Sequence, residues 1–113
     1  MIPQPSSAQL QQQLQAIPLF ASLDASTLDA LVAHTTWHTY ATGETIFWEG
    51  DEAVGLYIVH DGWLKIIRMA LSGREQVIKF LGPGETFNEI GAFTQMDNPA
   101  TAVALEPVAL WLV

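Results

Sequence analysis

Three histidines are the side chains most able to hold a metal ion or a haem iron in this sequence. His34 and His38 are four residues apart, which would place both on one face if the segment were helical. Residues 35–37 between them are typical of a change from helix to strand, which would separate the two rings, and His60 stands alone before a turn. Because no third ligand completes a metal-site spacing, we interpret all three as ordinary surface or core histidines.

Carboxylates for acid–base chemistry are concentrated in the turn that contains Glu49, Asp51 and Glu52. An acidic turn is usually solvated, and the sequence has no phosphate-binding loop, no nucleophile elbow and no zinc-protease motif. The chain also contains no cysteine. This excludes disulfides, thiolate zinc sites and cysteine-held iron–sulfur clusters within the chain. We expect a protein that is not an enzyme.

Length and composition limit the class of protein further. The chain has 113 residues, enough for one domain, and its hydrophobic fraction of 50% excludes disorder. Twelve acidic residues against four basic ones give a net charge of −8, which disfavours nucleic acid as a direct partner. No signal peptide or apolar stretch of about 20 residues is present, so we expect a soluble protein without membrane contact. The absence of cysteine leaves the compartment open, and a cytoplasmic location fits it.

The first third of the chain has helical periodicity. Leu10, Leu14 and Ile17 recur on one helical face, and Ser6 with Gln9 forms a capping-box pattern. Pro18 should end or bend this helix. A second helix is predicted around residues 28–32, with Asp24 as its cap.

After His34 the pattern changes to short β-rich runs separated by glycine-bearing turns. Asp61-Gly62 lies between two of these runs and predicts a hairpin, while residues 86–96 have no strand alternation and form an irregular insert of the kind that often carries a binding site. The four tryptophans fall in predicted strands, where core or interface packing is their usual role. The predicted strands are Thr36–Tyr40, Thr45–Trp48, Leu56–His60, Trp63–Met69, Gln76–Leu81, Ala102–Leu105 and Val108–Val113.

Several short motifs follow one another in a specific order after Ala16. In chain order they are Gly43-Glu44-x-Ile46, Glu49-Gly50-Asp51, Asp61-Gly62, Ser72-Gly73, Leu81-Gly82-Pro83-Gly84-Glu85, Phe87-Asn88-Glu89-Ile90-Gly91 and Pro99-Ala100-Thr101-Ala102. Their order resembles the cyclic-nucleotide-binding domain of Crp/Fnr-type transcription regulators. The resemblance implies a mainly β fold, a double-stranded β-helix (jelly roll) with flanking N-terminal helices. It implies one sensor domain over residues 1–113, with a helical lead-in at about 1–35, a β-roll at 36–113 and a ligand cassette at 84–102.

The resemblance also implies roles for single residues in the cassette. Glu89 matches the glutamate that binds the ribose 2′-hydroxyl, Ile90 and Gly91 match the short helix facing the cyclic phosphate, and Thr101 matches the small hydroxyl residue beside that phosphate. Ala100 occupies the position of the arginine that pairs with the phosphate in nucleotide-binding members, and it offers neither charge nor donor.

Two features of this cassette weaken the prediction of cyclic-nucleotide binding. Loss of a charge-assisted phosphate contact costs roughly 1.5–3 kcal/mol, which is about tenfold or more in affinity. Asn88 replaces a glycine and would crowd the pocket. We expect no nearby base to compensate, since all four lie on or beside the hairpin through Ser72-Gly73. We therefore favour Glu89 as a structural carboxylate that caps backbone N–H groups.

The resemblance implies a dimer-forming helix and a DNA-reading helix-turn-helix after the last strand, and neither is present in the sequence. We therefore expect the sensory part of a longer, dimeric regulator that binds an unidentified small-molecule effector and contacts DNA only through the missing region. Cyclic nucleotide, weakened by Ala100, and haem, for which no axial ligand is identified, remain open as ligands. The alternatives are a regulatory module of a fused enzyme or transporter, or an interaction scaffold that binds no ligand.

Overall fold

The N-terminal region consists of two helices joined by a 3₁₀ turn. The computed structural model describes residues 2–87 and 97–113, with α1 at Ser7–Gln15, the 3₁₀ turn at Pro18–Phe20 and α2 at Ala25–His34. Both predicted caps are confirmed: Ser6 and Gln9 form a capping box, and the Asp24 carboxylate accepts the backbone N–H of Thr27 at 2.7 Å. Each cap satisfies donors that the first helical turn leaves unpaired.

Strands follow from Thr36 to the end of the chain. All seven predicted strands are confirmed to within one or two residues at each end, and a further short strand at Thr86–Phe87 was missed because two residues carry no detectable alternation. Within the described residues the strands are β1 Thr36–Tyr40, β2 Thr45–Phe47, β3 Tyr57–Asp61, β4 Leu64–Met69, β5 Glu75–Leu81, β6 Thr86–Phe87, β7 Thr101–Ala104 and β8 Val108–Leu112.

The strands form two antiparallel sheets that face each other. The first, called the helix-side sheet, has the order β1-β8-β3-β6, and the second, called the hairpin-side sheet, has the order β2-β7-β4-β5. Neighbours in both sheets are mostly distant in sequence, as expected for a jelly roll and not for a meander. The predicted fold class, mainly β with a jelly roll and N-terminal helices, is confirmed.

The predicted hairpin at Asp61-Gly62 is wrong. β3 belongs to the helix-side sheet and β4 to the hairpin-side sheet, so this turn carries the chain from one sheet to the other. Gly62 has φ of 85°, and a Cβ there would overlap the carbonyl oxygen of Pro107. Glycine is still needed at this turn, because the chain crosses between the sheets there and packs closely against Pro107. The hairpin through Ser72-Gly73 does form, between β4 and β5.

Two hydrophobic clusters lie on opposite faces of the helix-side sheet. Strand alternation sends Tyr57 and Val59 between the sheets, while Ile58 between them joins Trp111 in a cluster with Leu10 and other residues of the helical segment. β3 is therefore buried on both faces. The helices cover the outer face of this sheet and leave the space between the sheets to the strands.

Candidate functional site

The inner wall of the roll near Ala100 is built from small side chains. Ala100, Ala102 and Ala104 alternate along the chain, all are buried, and all belong to the cluster between the sheets. Ala100 is only 2% exposed. The predicted site position is thus an apolar surface inside the roll, with no charge of its own.

Three hydrogen bonds of Asn98 hold the corner that precedes Ala100. The backbone N–H of Asn98 donates to the backbone carbonyl of Asp51 at 2.8 Å, and the backbone carbonyl of Asn98 accepts the N–H of Gly50 at 3.0 Å. The side-chain amide of Asn98 donates to the carbonyl of Trp48 at 3.1 Å. Asn98 was not among the predicted site residues, although the Asn-Pro pair is a turn signal that marks this position. These bonds fix the corner that leads into β7.

Thr101 makes a structural contact in the same place. Its hydroxyl oxygen accepts the backbone N–H of Glu49 at 2.8 Å, and the residue is buried. The hydroxyl hydrogen remains a donor that could serve a second partner. The predicted contact of Thr101 with a phosphate therefore stays a prediction, while its role in tying the acidic turn to β7 is observed.

The other residues of the predicted cassette, Glu89, Ile90 and Gly91, lie outside the described residues, as does Asn88. Their roles toward a nucleotide remain predictions.

A base does lie at the Ala100 corner, contrary to expectation. The Nε of Arg68 donates to the carbonyl oxygen of Pro99 at 2.9 Å. β4 pairs with β7 in the register Ile66↔Ala102 and Ile67↔Thr101. Continued by one residue beyond the start of β7, this register would set Arg68 opposite Ala100. This neighbour is not predictable along the chain, because strand pairing between distant segments creates it.

The remaining bases are held elsewhere on the hairpin. Lys65 forms an ion pair with Glu75 at 2.7 Å, and the ammonium group of Lys79 lies 5.7 Å from the ring centroid of Phe87. Arg74 is exposed near the tip of the hairpin. The four bases therefore do not form one basic patch.

Aromatic rings line the space between the sheets. Phe47 stacks on Tyr57 with ring centroids 4.9 Å apart and on Phe87 with centroids 5.2 Å apart. Burial, reinforced by the nearby Tyr40, raises the pKa of the Tyr57 hydroxyl to about 12. Burial together with the carboxylate of Glu44 also raises the pKa of Tyr40. Both phenols are therefore neutral near pH 7, and the interior is suited to apolar or planar groups.

An open groove of about 410 Å³ runs between the helical segment and the β5–β6 turn. Ile17, Pro18 and Leu81 give it apolar walls, Lys79 also lines it, and Glu85 contributes a carboxylate whose Oε1 accepts the N–H of Gly82 at 2.9 Å. Its volume lies in the range of small-molecule sites.

The three histidines lie on three different elements and have different contacts. His34 ends α2 and is exposed, His38 lies in β1 against the Thr36 hydroxyl at 2.8 Å, and His60 contacts the side chain of Gln13. Among residues 2–87 and 97–113, no group of three potential metal ligands is found.

The tryptophans divide into two pairs. Trp37 and Trp111 pack edge to face with centroids 4.7 Å apart, as predicted for core aromatics. Trp48 is 60% exposed and Trp63 is 46% exposed, so these two do not pack in the core, and the predicted alternative of interface packing stays a prediction. Both lie just outside strand ends, where alternation no longer dictates burial.

The described part of the chain has no helix long and apolar enough to cross a membrane.

Comparison with known proteins identifies the class. Residues 37–113 match the family described as cyclic nucleotide-binding domain. Since the match covers more than half of the chain, the protein belongs to this family.

Named relatives are consistent with this assignment. The chain is 33% identical over 97 residues to the cyclic AMP receptor protein of Thermus thermophilus, covering 86% of this chain and 45% of that protein. It is 37% identical, with a TM-score of 0.78, to the N-terminal domain of a transcriptional regulator from Streptomyces coelicolor, covering 88% of this chain and 69% of that one. The regulatory domain of Toxoplasma gondii PKA, solved with cAMP, is 30% identical with a TM-score of 0.84, covering 93% of this chain and 40% of that one. The chain spans less than half the length of the curated relative.

Proposed function

We propose that this chain is the effector-sensing domain of a Crp/Fnr-type DNA-binding transcription regulator. The observation that carries the proposal is the similarity over 88% of the chain to the N-terminal domain of a transcriptional regulator. The chain has no catalytic activity of its own, acts in the cytoplasm, and belongs to a protein that binds DNA as a homodimer through a region outside this sequence.

The mechanism is ligand-gated control of DNA affinity. An effector between the sheets would favour one arrangement of the cassette around Glu89, and a dimer helix beyond Val113 would transmit that arrangement to the DNA-binding part. Such coupling exists only if the effector binds the two arrangements with different affinity.

Ala100 lowers the affinity of the domain for cyclic nucleotides. A buried methyl group at the corner provides no contact for a cyclic phosphate, and the nearby turn carries three exposed acids, Glu49, Asp51 and Glu52. We infer that cAMP binds far more weakly than to relatives with an arginine at this position. Haem remains an alternative effector with no axial ligand assigned.

The proposal is tested on the protein that the complete reading frame encodes. We expect a helix-turn-helix after Val113 and an effector-dependent change in affinity for its own promoter, measured by fluorescence anisotropy with a labelled duplex. A complete protein that ends in a catalytic or membrane segment would contradict the proposal.

A second candidate is a regulatory module of a fused enzyme or transporter. The similarity to the regulatory domain of Toxoplasma gondii PKA supports it, because that domain belongs to a kinase system. The same reading frame discriminates between the two, since this candidate requires a catalytic or transport segment in place of a DNA-reading one.

A third candidate, an interaction scaffold without ligand, is supported by exposed apolar side chains on the β4–β5 hairpin. Met69, Leu71 and Phe80 are 59%, 110% and 56% exposed. This candidate requires that the complete protein binds a partner in the absence of any small molecule. Hairpin variants such as Phe80→Ser should then weaken that binding.

A further inference from the structure

We propose that Arg68 is the residue that binds an anionic group of this domain's effector, at the rim of the roll beside Ala100. The proposal deepens the proposed function and rests on it, since it assigns the chemistry of a molecule that the sensor domain binds. The effector would carry an apolar or planar body together with a phosphate or carboxylate.

The position of Arg68 follows from strand pairing. Leu64 and Ile66 of β4 belong to the cluster between the sheets, and alternation assigns Arg68 to the same face of the strand. Continuing the register with β7 by one residue brings it opposite Ala100, which belongs to that cluster as well. Cross-strand neighbours have Cβ atoms about 4.5–5.5 Å apart, so the continued register places Arg68 beside Ala100, in agreement with its hydrogen bond to Pro99.

The guanidinium group is oriented and still has donors to offer. Its Nε is bound to the carbonyl oxygen of Pro99 at 2.9 Å, which directs the planar group toward the corner. Arginine has five N–H donors in a fixed fork, and its terminal nitrogens suit the paired oxygens of a phosphate or carboxylate. Within residues 2–87 and 97–113, the Nε bond is the contact found for this group.

The other bases are less suited to this role. Lys65 is paired with Glu75, Lys79 lies over the ring of Phe87, and Arg74 lies near the hairpin tip. Arg68 is exposed as well, but its hydrogen bond to Pro99 holds it at the corner. Arg68 is therefore the cation at the Ala100 corner among the described residues.

The body of the effector would meet an apolar interior. Small alanine side chains form the β7 wall, and the stacked rings of Phe47, Tyr57 and Phe87 offer planar surfaces. One cation beside an apolar, aromatic interior is the arrangement that fixes the orientation of a small amphiphilic ligand.

Three acids oppose an anion at this corner. Glu49, Asp51 and Glu52 are exposed, so salt and water screen their repulsion. The guanidinium contact is short-range and is screened much less when the ligand covers it. The acids lower the affinity for any anion without removing the preference for one.

The experiment compares three probes on the isotope-labelled chain by NMR titration up to millimolar concentration. The probes are cAMP, adenosine, which lacks the phosphate, and inorganic pyrophosphate, which lacks the planar body. The variants are Arg68→Gln, Arg68→Lys and the matched control Arg74→Gln, which removes the same charge from the hairpin away from the corner. Amide spectra verify that each variant keeps the fold.

We expect Arg68→Gln to weaken cAMP binding by about tenfold or more, since hydrogen bonds to charged groups have that magnitude. Arg68→Lys should fall between Arg68→Gln and the unchanged protein. Arg74→Gln should bind cAMP normally, and adenosine should bind all variants alike. Pyrophosphate should shift the amide signals of residues 68 and 100–101 in the unchanged protein.

Three results would overturn the proposal: equal cAMP affinity with Arg68→Gln, an equal loss with Arg74→Gln, or no response to either cAMP or pyrophosphate. The failure of the proposed function has a different signature. If adenosine still binds and Arg68→Gln has no effect on cAMP binding, the role of Arg68 is rejected and the sensor-domain proposal stands. If the complete protein has no DNA-reading region, the proposal of a transcription regulator is rejected.

Discussion

The side chain of Gln13 in α1 joins two residues of the helix-side sheet. Its Oε1 accepts a hydrogen bond from the indole Nε1 of Trp111 at 3.0 Å, and its amide nitrogen lies 3.1 Å from Nδ1 of His60. Trp111 is almost fully buried between this sheet and the helices. A polar link inside an otherwise apolar contact fixes where the helix lies on the sheet, because an unpaired buried N–H is costly.

Replacing Gln13 should therefore destabilise the domain. We expect Gln13→Ala to lower the free energy of unfolding by about 1–3 kcal/mol, because the indole N–H of Trp111 loses its acceptor. Urea denaturation followed by tryptophan fluorescence measures the loss. Gln12→Ala is the matched control, since Gln12 lies on the same helix and is exposed. Equal stability of the two variants would show that the link contributes nothing.

An arginine at position 100 should increase the affinity for cyclic nucleotides. Ala100→Arg adds a charge-assisted donor at the corner, and we expect cAMP affinity to rise by about tenfold or more in calorimetry. Ala70→Arg controls for the added charge, because Ala70 is exposed on the hairpin. No gain from Ala100→Arg would mean that the rest of the pocket no longer fits a cyclic nucleotide. Submicromolar cAMP binding by the unchanged protein would contradict the proposed effect of Ala100.

The two glycine turns should respond differently to the same substitution. Gly62 and Gly73 have φ of 85° and 82°, but a Cβ at Gly62 would meet Pro107 and Val108 whereas a Cβ at Gly73 would meet nothing within 4 Å. We expect Gly73→Ala to cost about 1–2 kcal/mol from backbone strain alone. Gly62→Ala should cost about 1–3 kcal/mol more from overpacking. Thermal or urea unfolding measures both costs. Equal losses of stability would show that close packing adds no steric cost at the sheet-crossing turn.

The raised pKa of Tyr57 predicts a loss of stability in alkali. The ordinary tyrosine pKa of 10.0 applies to the unfolded chain, and burial raises it to about 12 in the fold. The neutral phenol is thus favoured by the fold, so the stabilisation is complete below pH 10 and is lost as the pH rises through about 12.

The measurement compares Tyr57→Phe with the unchanged protein. The variant cannot ionise at this position, and its unfolding free energy should fall less between pH 10 and pH 12, by about 2 kcal/mol. Tyr40→Phe, which leaves Tyr57 in place, should retain most of the decline. Parallel curves for Tyr57→Phe and the unchanged protein would contradict the assignment.

The comparison of sequence with structure shows where local signals suffice. The caps at Ser6 and Asp24 and the bounds of β1 were predictable because each depends on residues a few positions apart. The site was less predictable. Ala100 was singled out through the family resemblance, but its burial inside the roll and the lock formed by Asn98 depend on segments distant along the chain.

The sequence by itself determined the two helices, seven of the eight described strands and the mainly β fold class. The family resemblance also singled out position 100, where it predicts that a charged side chain is missing. Periodicity, caps and turn residues are short-range properties, and the order of motifs carried the family resemblance. Only the tertiary structure decided that Asp61-Gly62 crosses between sheets and that Arg68 lies beside Ala100. Strand pairing between distant segments is driven by burial of whole faces, so no local pattern specifies which residue of one strand will face which residue of another.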